Sequence, residues 1–532
     1  MGSKFMHGSS ILLGDNTVPG VQLPKEMRDN VPIILQACRD WGLDFFPTVV
    51  QLLTYDEISE IAAYGGFPVR YPHWQWGMEY EELQRGYEYG MHKIYEMVIN
   101  TNPCYQWLLS SNTLVDNLTV VAHATGHNDF FKNNIHFSAT DTTMLNKMAN
   151  HGTRIRRYMS RWGKERVIEF IDHVLRIETL IDGSKAWTEK IIKDRNMVDQ
   201  RKYRQPRRLT VNKERMYMEP FLNTKGFRGE ENSRISKADV ADEIGLFNDP
   251  TKDILGFIRE NAPLKPWQQD IVSMLYEESL YFFPQRQTKV MNEGWASLTD
   301  HVIMARQGYV SLGQKSHDVG IIEYADHKMG VLGGKYSMNP YKLGFYMMLD
   351  IEERWNKGQF GTEWEECTDI RVKEKWDKNL GLGKEKLFEV RKYYDDLTFL
   401  NEFFTEDFCR QQEYFHWKHY PNGEYRMEHR DFKDIKRSLM QRHLNGGLPV
   451  INLTEPNYRG KGYMMLQHEF DGRAIYEPYV KEVLTSLRFL WNNDVYLATK
   501  DDDGEEAIYG CYGTNSDEDV EVVGRKEHIK HW

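Results

Sequence analysis

The chain has 532 residues and a formal charge of −11, with 40% hydrophobic and 13% aromatic residues that include 14 Trp and 30 Tyr. That length exceeds one ordinary core and points to two or three domains, and the aromatic content excludes a disordered chain. The acidic balance and the lack of any run of about 18 apolar residues exclude nucleic-acid binding as the main task and a membrane span, so neither partner is expected.

The cysteines, at positions 38, 104, 367, 409 and 511, are odd in number and free of C-x-x-C spacing. This excludes a disulfide framework and a cysteine zinc site, and fits the reduced thiols of a cytoplasmic protein.

Residues 1–22 are rich in Gly and Ser and lack apolar period, so they are read as a disordered or non-native leader. A mainly α-helical module is expected over 23–395. Val31, Ile34, Leu35 and Cys38 give helical spacing over 26–41, and further helices are predicted near 55–65, 78–100, 112–131, 141–160 and 164–180. The basic run 201–215 reads as a solvated face or linker. A helix over 266–283 is bracketed by Pro266 and Pro284, Asn292 is the expected N-cap of the next one to about Ala305, and 341–356 and 384–411 complete the module.

The chain then changes character. Residues 448–453, 462–467 and 495–498 read as strands and 479–491 as a helix, which predicts a small α+β domain over 396–500. Residues 501–532 form an acidic tail, with nine acidic and no basic residues over 501–521, and are expected to be mobile and solvated.

Candidate chemistry centres on His123 and His127. Four residues apart on a helix, they project from nearly one side, one turn apart, which aims two imidazoles at a single divalent ion. Gly126 between them costs roughly 1 kcal/mol in a helix interior relative to alanine, so a close approach by a neighbour should reward it. Asn128 and Asp129 are the expected acceptors that fix the imidazole tautomers. The third ligand is expected at Glu293: Asn292-Glu293-Gly294-Trp295-Ala296-Ser297 resembles the Asn-Glu-Gly-Phe-Ala-Ser segment of gluzincin aminopeptidases, where that Glu completes a zinc site begun by a histidine pair. The competing structural reading makes Glu293 an acidic residue that complements a helix N-terminus.

Two departures qualify that resemblance. His127 and Glu293 are 166 residues apart, and Ala124 stands where H-E-x-x-H proteases carry the glutamate that activates water. Glu277 and Glu278 are the nearest carboxylates in sequence to replace it. His301, eight residues after Glu293, is a candidate fourth ligand, proton shuttle or packed histidine. His73, His173, Arg286, Arg154, Arg156 and Arg157 are weaker candidates, with core packing or surface salt bridging as the default.

Several blocks together resemble the stage V sporulation protein R (SpoVR) family: HATGHNDFFKNN at 123–134, RENAP at 259–263, EESLYFFPQRQTKVMNEGWAS at 277–297, YPHW at 71–74, NPC at 102–104 and NPYKLG at 339–344. The resemblance spans about 25–500. It implies a cytoplasmic bacterial or archaeal protein whose family is named for spore cortex formation, and a single family-type module over 25–395.

The sequence therefore leads to a metalloprotein with a zincin-like site of His123, His127 and Glu293. The leading expectation is a zinc-dependent hydrolase of amide or peptide bonds, with Glu278 or Glu277 as base, His301 assisting, and a peptide or peptidoglycan-related substrate. Two alternatives stand beside it: a non-haem iron oxygenase using the same two histidines and carboxylate, and a non-enzymatic regulatory or scaffold protein that binds a protein partner through its C-terminal domain.

Overall fold

The computed structural model describes residues 10–13, 23–88, 96–184, 250–314, 317–333, 339–420, 424–501, 503–512 and 519–525. The basic run 201–215 lies outside them. Contacts divide the chain into two compact units, each assembled from two stretches: Met1–Ile168 with Tyr281–Gly447, and Glu169–Leu280 with Leu448–Trp532. The sequence segmentation followed chain order, whereas these units interleave along it.

The first unit is mainly helical. Its large core gathers Val31, Ile34 and Leu35 of helix Lys25–Trp41, Leu118 and Val121 of helix Leu114–Asn133, and Trp295 and Leu298 of helix Lys289–Asp300. The last of these helices lies between Leu114–Asn133 on one side and Pro340–Lys357 on the other, and glycines set both approaches. A Cβ on Gly126 would come within 2.8 Å of the Ala296 Cα, and one on Gly344 within 2.1 Å of the Val290 carbonyl oxygen. Gly126 is thus rewarded for its missing side chain as its position in the helix interior predicts.

A four-stranded sheet completes this unit, in the order Ser10–Leu13, Thr48–Leu53, Cys104–Leu109, Glu96–Val98, with the middle pair parallel and Thr48 opposite Cys104. The central strands escaped the sequence reading because Thr48-Val49-Val50 and Gln106 to Leu109 are buried without alternation, which removes the period-two signal. Ser10–Leu13 pairs with Thr48–Leu53, inside the span read as a leader. The helix expected over 78–100 is instead a helix Trp74–Glu88 and a strand Glu96–Val98.

Two further expectations are corrected. Helix Pro266–Gln287 runs through Pro284, giving up the one hydrogen bond that an N–H there would make to the Leu280 carbonyl, with a single turn of helix beyond it. Asn292 is not an N-cap: its helix begins at Lys289, and the Asp396 carboxylate accepts from the Val290 and Met291 amides at 2.9 and 2.8 Å. Glu293 therefore sits past the first turn, away from the amides that the structural reading had it complement.

The second unit contains helices Lys164–Leu175 in part, Ile254–Asn261 and Glu477–Trp491, and a five-stranded sheet. Its strand order is Asp519–Arg525, Glu506–Tyr512, Val495–Lys500, Tyr463–His468, Ile451–Tyr458. The α+β character read from 448–498 is present. Glu506–Tyr512 and Asp519–Arg525 are strands where charge alone predicted a mobile tail: Ala507, Gly510 and Cys511 are buried between the acidic clusters.

Candidate metal centre

His123 and His127 lie on helix Leu114–Asn133, started by a capping box of Thr113 and Asp116. This helix has buried residues on every side, so its hydrophobic pattern has no marked face. Both imidazoles are buried and turn toward Glu293 on the adjacent helix. The Glu293 Oε2 lies 3.3 Å from His127 Nε2 and 3.6 Å from His123 Nε2. Each residue offers one ligand atom within 4.8 Å of the others, and among the described residues these three form the group so arranged.

The opposite edge of each ring determines what the Nε2 atoms can do. His123 Nδ1 is 2.9 Å from Asp300 Oδ2, and His127 Nδ1 is 2.8 Å from Asn292 Oδ1. A carboxylate and an amide oxygen can only accept, so each Nδ1 is the donor and, in the neutral ring, each Nε2 presents a lone pair to Glu293. Lone pair faces carboxylate. Glu293 Oε2 is buried and has no hydrogen-bond partner, although the imidazoles stand close.

A shared cation resolves this arrangement chemically. Bonds of about 2.0–2.2 Å to a tetrahedral ion put neighbouring donor atoms roughly 3.3–3.6 Å apart, which matches the two carboxylate-to-imidazole distances. With the imidazoles protonated instead, they hold the Glu293 carboxyl well below the usual carboxylate range despite burial. Both readings place positive charge beside the Glu293 carboxylate. Tyr341 stacks beside His123, ring centroids 6.1 Å apart, and Phe131 beside His127 at 6.2 Å.

The acceptors expected for the histidines were the wrong ones. Asn128 bonds Phe46 and Thr48, and Asp129 bonds the Asp44 amide, the Trp295 indole and Arg391. One and two residues beyond His127 on a helix, they point about 100° and 200° away from it. Asn292 and Asp300 do that work from the neighbouring helix. Asp300 could have been found: seven residues after Glu293, it returns to within about 20° of the same face.

His301, Glu277 and Glu278 are not members of the group of three. His301 begins a π-helical turn, His301–Arg306, and its ring meets Phe345 edge-on at 5.4 Å. Burial lowers its pKa to about 4, leaving it neutral at pH 7. Glu277 is exposed and Glu278 buried, both on the part of helix Pro266–Gln287 that belongs to the second unit. His73 is packed among Tyr71, Trp74 and Trp76, and His173 stacks on Phe489 and meets the Ser486 hydroxyl at 3.1 Å. Arg156 donates to the Arg70 carbonyl at 3.0 Å and, with Arg157, lines an open surface depression.

Helix-borne histidines facing a glutamate on an adjacent helix define a mainly helical protein with a two-histidine, one-carboxylate cluster. The chain belongs to the SpoVR family: the model of SpoVR-like proteins matches residues 22–448. Among curated proteins it is similar to the uncharacterised protein YcgB of Escherichia coli strain K12, with 27% identity over 510 residues, covering 88% of this chain and 91% of that one. No solved structure matches the chain. Among the described residues no helix is long and apolar enough to cross a membrane.

Proposed function

We propose that this chain binds one divalent metal ion through His123, His127 and Glu293, and that it is a zinc-dependent hydrolase of amide or peptide bonds. The observation that carries the metal assignment is the buried, unbonded Glu293 Oε2 facing two imidazole edges whose opposite nitrogens are tied to acceptors. Three protein ligands leave room for water or substrate, as in catalytic rather than structural zinc sites. Bound there, the ion would polarise a carbonyl and make water a stronger acid. The chain's own part is to keep both rings in one tautomer through Asp300 and Asn292, and to hold a charged carboxylate in a buried position. The family's sporulation name offers a cell-wall or spore-cortex peptide as substrate class, and the free cysteines fit a cytoplasmic location.

A non-haem iron oxygenase is the second reading, and Ala124 favours it. No glutamate follows His123, and no further carboxylate joins the three ligand atoms among the described residues. Iron in a two-histidine, one-carboxylate site needs no such base.

Elemental analysis of protein purified from metal-replete medium tests both. Stoichiometric metal in the wild type, lost in His123→Ala and Glu293→Ala while both variants stay folded, is the expected result. Zinc then favours hydrolysis and iron oxidation. Metal-free wild-type protein would sink both readings and leave a regulatory or scaffold role.

A further inference from the structure

Helix His317–Leu332 turns polar groups inward beside apolar ones, with Tyr324 in the core and Ile321 and Leu332 packed against it. Its buried positions are Gly320, Tyr324, His327 and Lys328, while Val319, Ile322 and Met329 stand 40, 60 and 74% exposed. Burial of apolar area alone gives no reason to seat His327 and Lys328 inside while Ile322 and Met329 stay out. Something on the inner side must favour the observed orientation.

What the inner side meets is Asp300. The Tyr324 hydroxyl donates to Asp300 Oδ1 at 2.9 Å, and the Lys328 ammonium donates to Oδ2 at 2.8 Å and to the Ser297 carbonyl at 3.0 Å. The remaining bond to this carboxylate is that of His123 Nδ1. Gly320 allows the helix to seat, since a Cβ there would lie 2.0 Å from the Val310 carbonyl oxygen. His327 fastens it to the start of the histidine helix through Asp116 Oδ1, 3.1 Å away.

The two histidines are therefore supported unequally. His127 leans on a neutral amide, and His123 on a fully buried carboxylate supplied with its own cation and hydroxyl. A carboxylate behind an imidazole makes that ring a better donor to a metal than an amide does, and it fixes the ring orientation. The adjacent ammonium keeps the carboxylate charged in a place where an unpaired one would be costly.

We infer that Asp300 is a positioning residue for the metal centre and that helix His317–Leu332 is oriented to hold it as a charged acceptor for His123. This rests on the metal assignment proposed above. Zinc affinity of the full chain, measured by chelator competition, tests it together with the unfolding midpoint of the metal-free protein. Asp300→Asn should weaken zinc binding by about 10- to 100-fold and, because it strands the buried Lys328 ammonium, also lower the metal-free midpoint, whereas Tyr324→Phe should weaken zinc binding less, in the same direction, with the metal-free midpoint little changed. A folded Asp300→Asn protein that binds zinc as wild type does overturns the inference. Should Asp300→Asn fail to fold, unchanged affinity in Tyr324→Phe overturns it instead. Failure of the metal assignment is distinguishable, because wild-type protein would then bind no zinc.

Discussion

Gly126 and Ala296 bring the histidine and glutamate helices together so closely that a Cβ on the glycine would lie 2.8 Å from the Ala296 Cα and 2.8 Å from the Thr299 Oγ1. This proximity lets a short glutamate side chain reach both imidazoles from a neighbouring backbone. Gly126→Ala raises intrinsic helix propensity by roughly 1 kcal/mol, yet overpacking against a backbone atom costs about 1–3 kcal/mol. Net destabilisation is expected in urea unfolding, with reduced metal uptake as the helices part. A more stable Gly126→Ala protein would show that the contact gives way freely.

Glu293 carries a stability penalty in the metal-free protein. With both Nδ1 atoms donating to Asp300 and Asn292, its buried carboxylate has no hydrogen bond at Oε2. Glu293→Gln removes the charge at constant shape. In chelator, its urea midpoint should exceed that of wild type by the equivalent of about 1 kcal/mol or more, while added zinc should no longer stabilise it. Lower stability of the variant in chelator would contradict this account, since it would mean the carboxylate is well satisfied without an ion.

The histidine pair and Glu293 were legible because both signals are local: a four-residue spacing and a short segment beside it. Asp300 and Asn292 were missed for physical reasons. Acceptors for an imidazole come from whatever element packs against its far edge, and nothing local to His127 reports on a helix 165 residues away in sequence. Residues adjacent to a helical histidine are tempting but point elsewhere, as Asn128 and Asp129 do. Helices such as Lys25–Trp41 and Met144–Trp162 were legible from period, whereas Thr48–Leu53 and Cys104–Leu109 were not, because strands buried on both faces lose alternation. Mixed polarity hid the role of Tyr324 and Lys328: Val319, Ile322 and Met329 of helix His317–Leu332 stand outside while Lys328 is turned in.

His173, buried against Phe489 and the Ser486 hydroxyl, should make the second unit acid-sensitive. Burial lowers its pKa from 6.5 to about 4, so the unfolded chain takes up the proton first. Its contribution is fully present above pH 6.5 and is lost as pH falls toward 4. His173→Gln keeps a hydrogen-bonding group without a titrating one. Amide exchange in helix Glu477–Trp491, corrected for intrinsic rates, should report less loss of protection between pH 6.5 and 4 in that variant. Equal loss in both proteins would move the acid sensitivity to other groups.

Asn292 offers the complementary test of the unequal support of the two histidines. Its Oδ1 accepts from His127 Nδ1 at 2.8 Å, so Asn292→Ala frees the ring to rotate or to change tautomer, and zinc affinity should fall by about 10-fold or more. Asn292→Asp leaves the geometry in place and adds a charge behind His127, as Asp300 already provides behind His123. Among the described residues no lysine bonds Asn292 as Lys328 bonds Asp300, and the new carboxylate sits beside Glu293, so the metal-free protein should lose stability through like-charge repulsion and desolvation. A bound cation offsets that repulsion, and zinc should therefore stabilise Asn292→Asp by more than it stabilises wild type, read as the difference in unfolding midpoint with and without metal. An equal shift in the two proteins would mean that the charge behind His127 does not reach the ion.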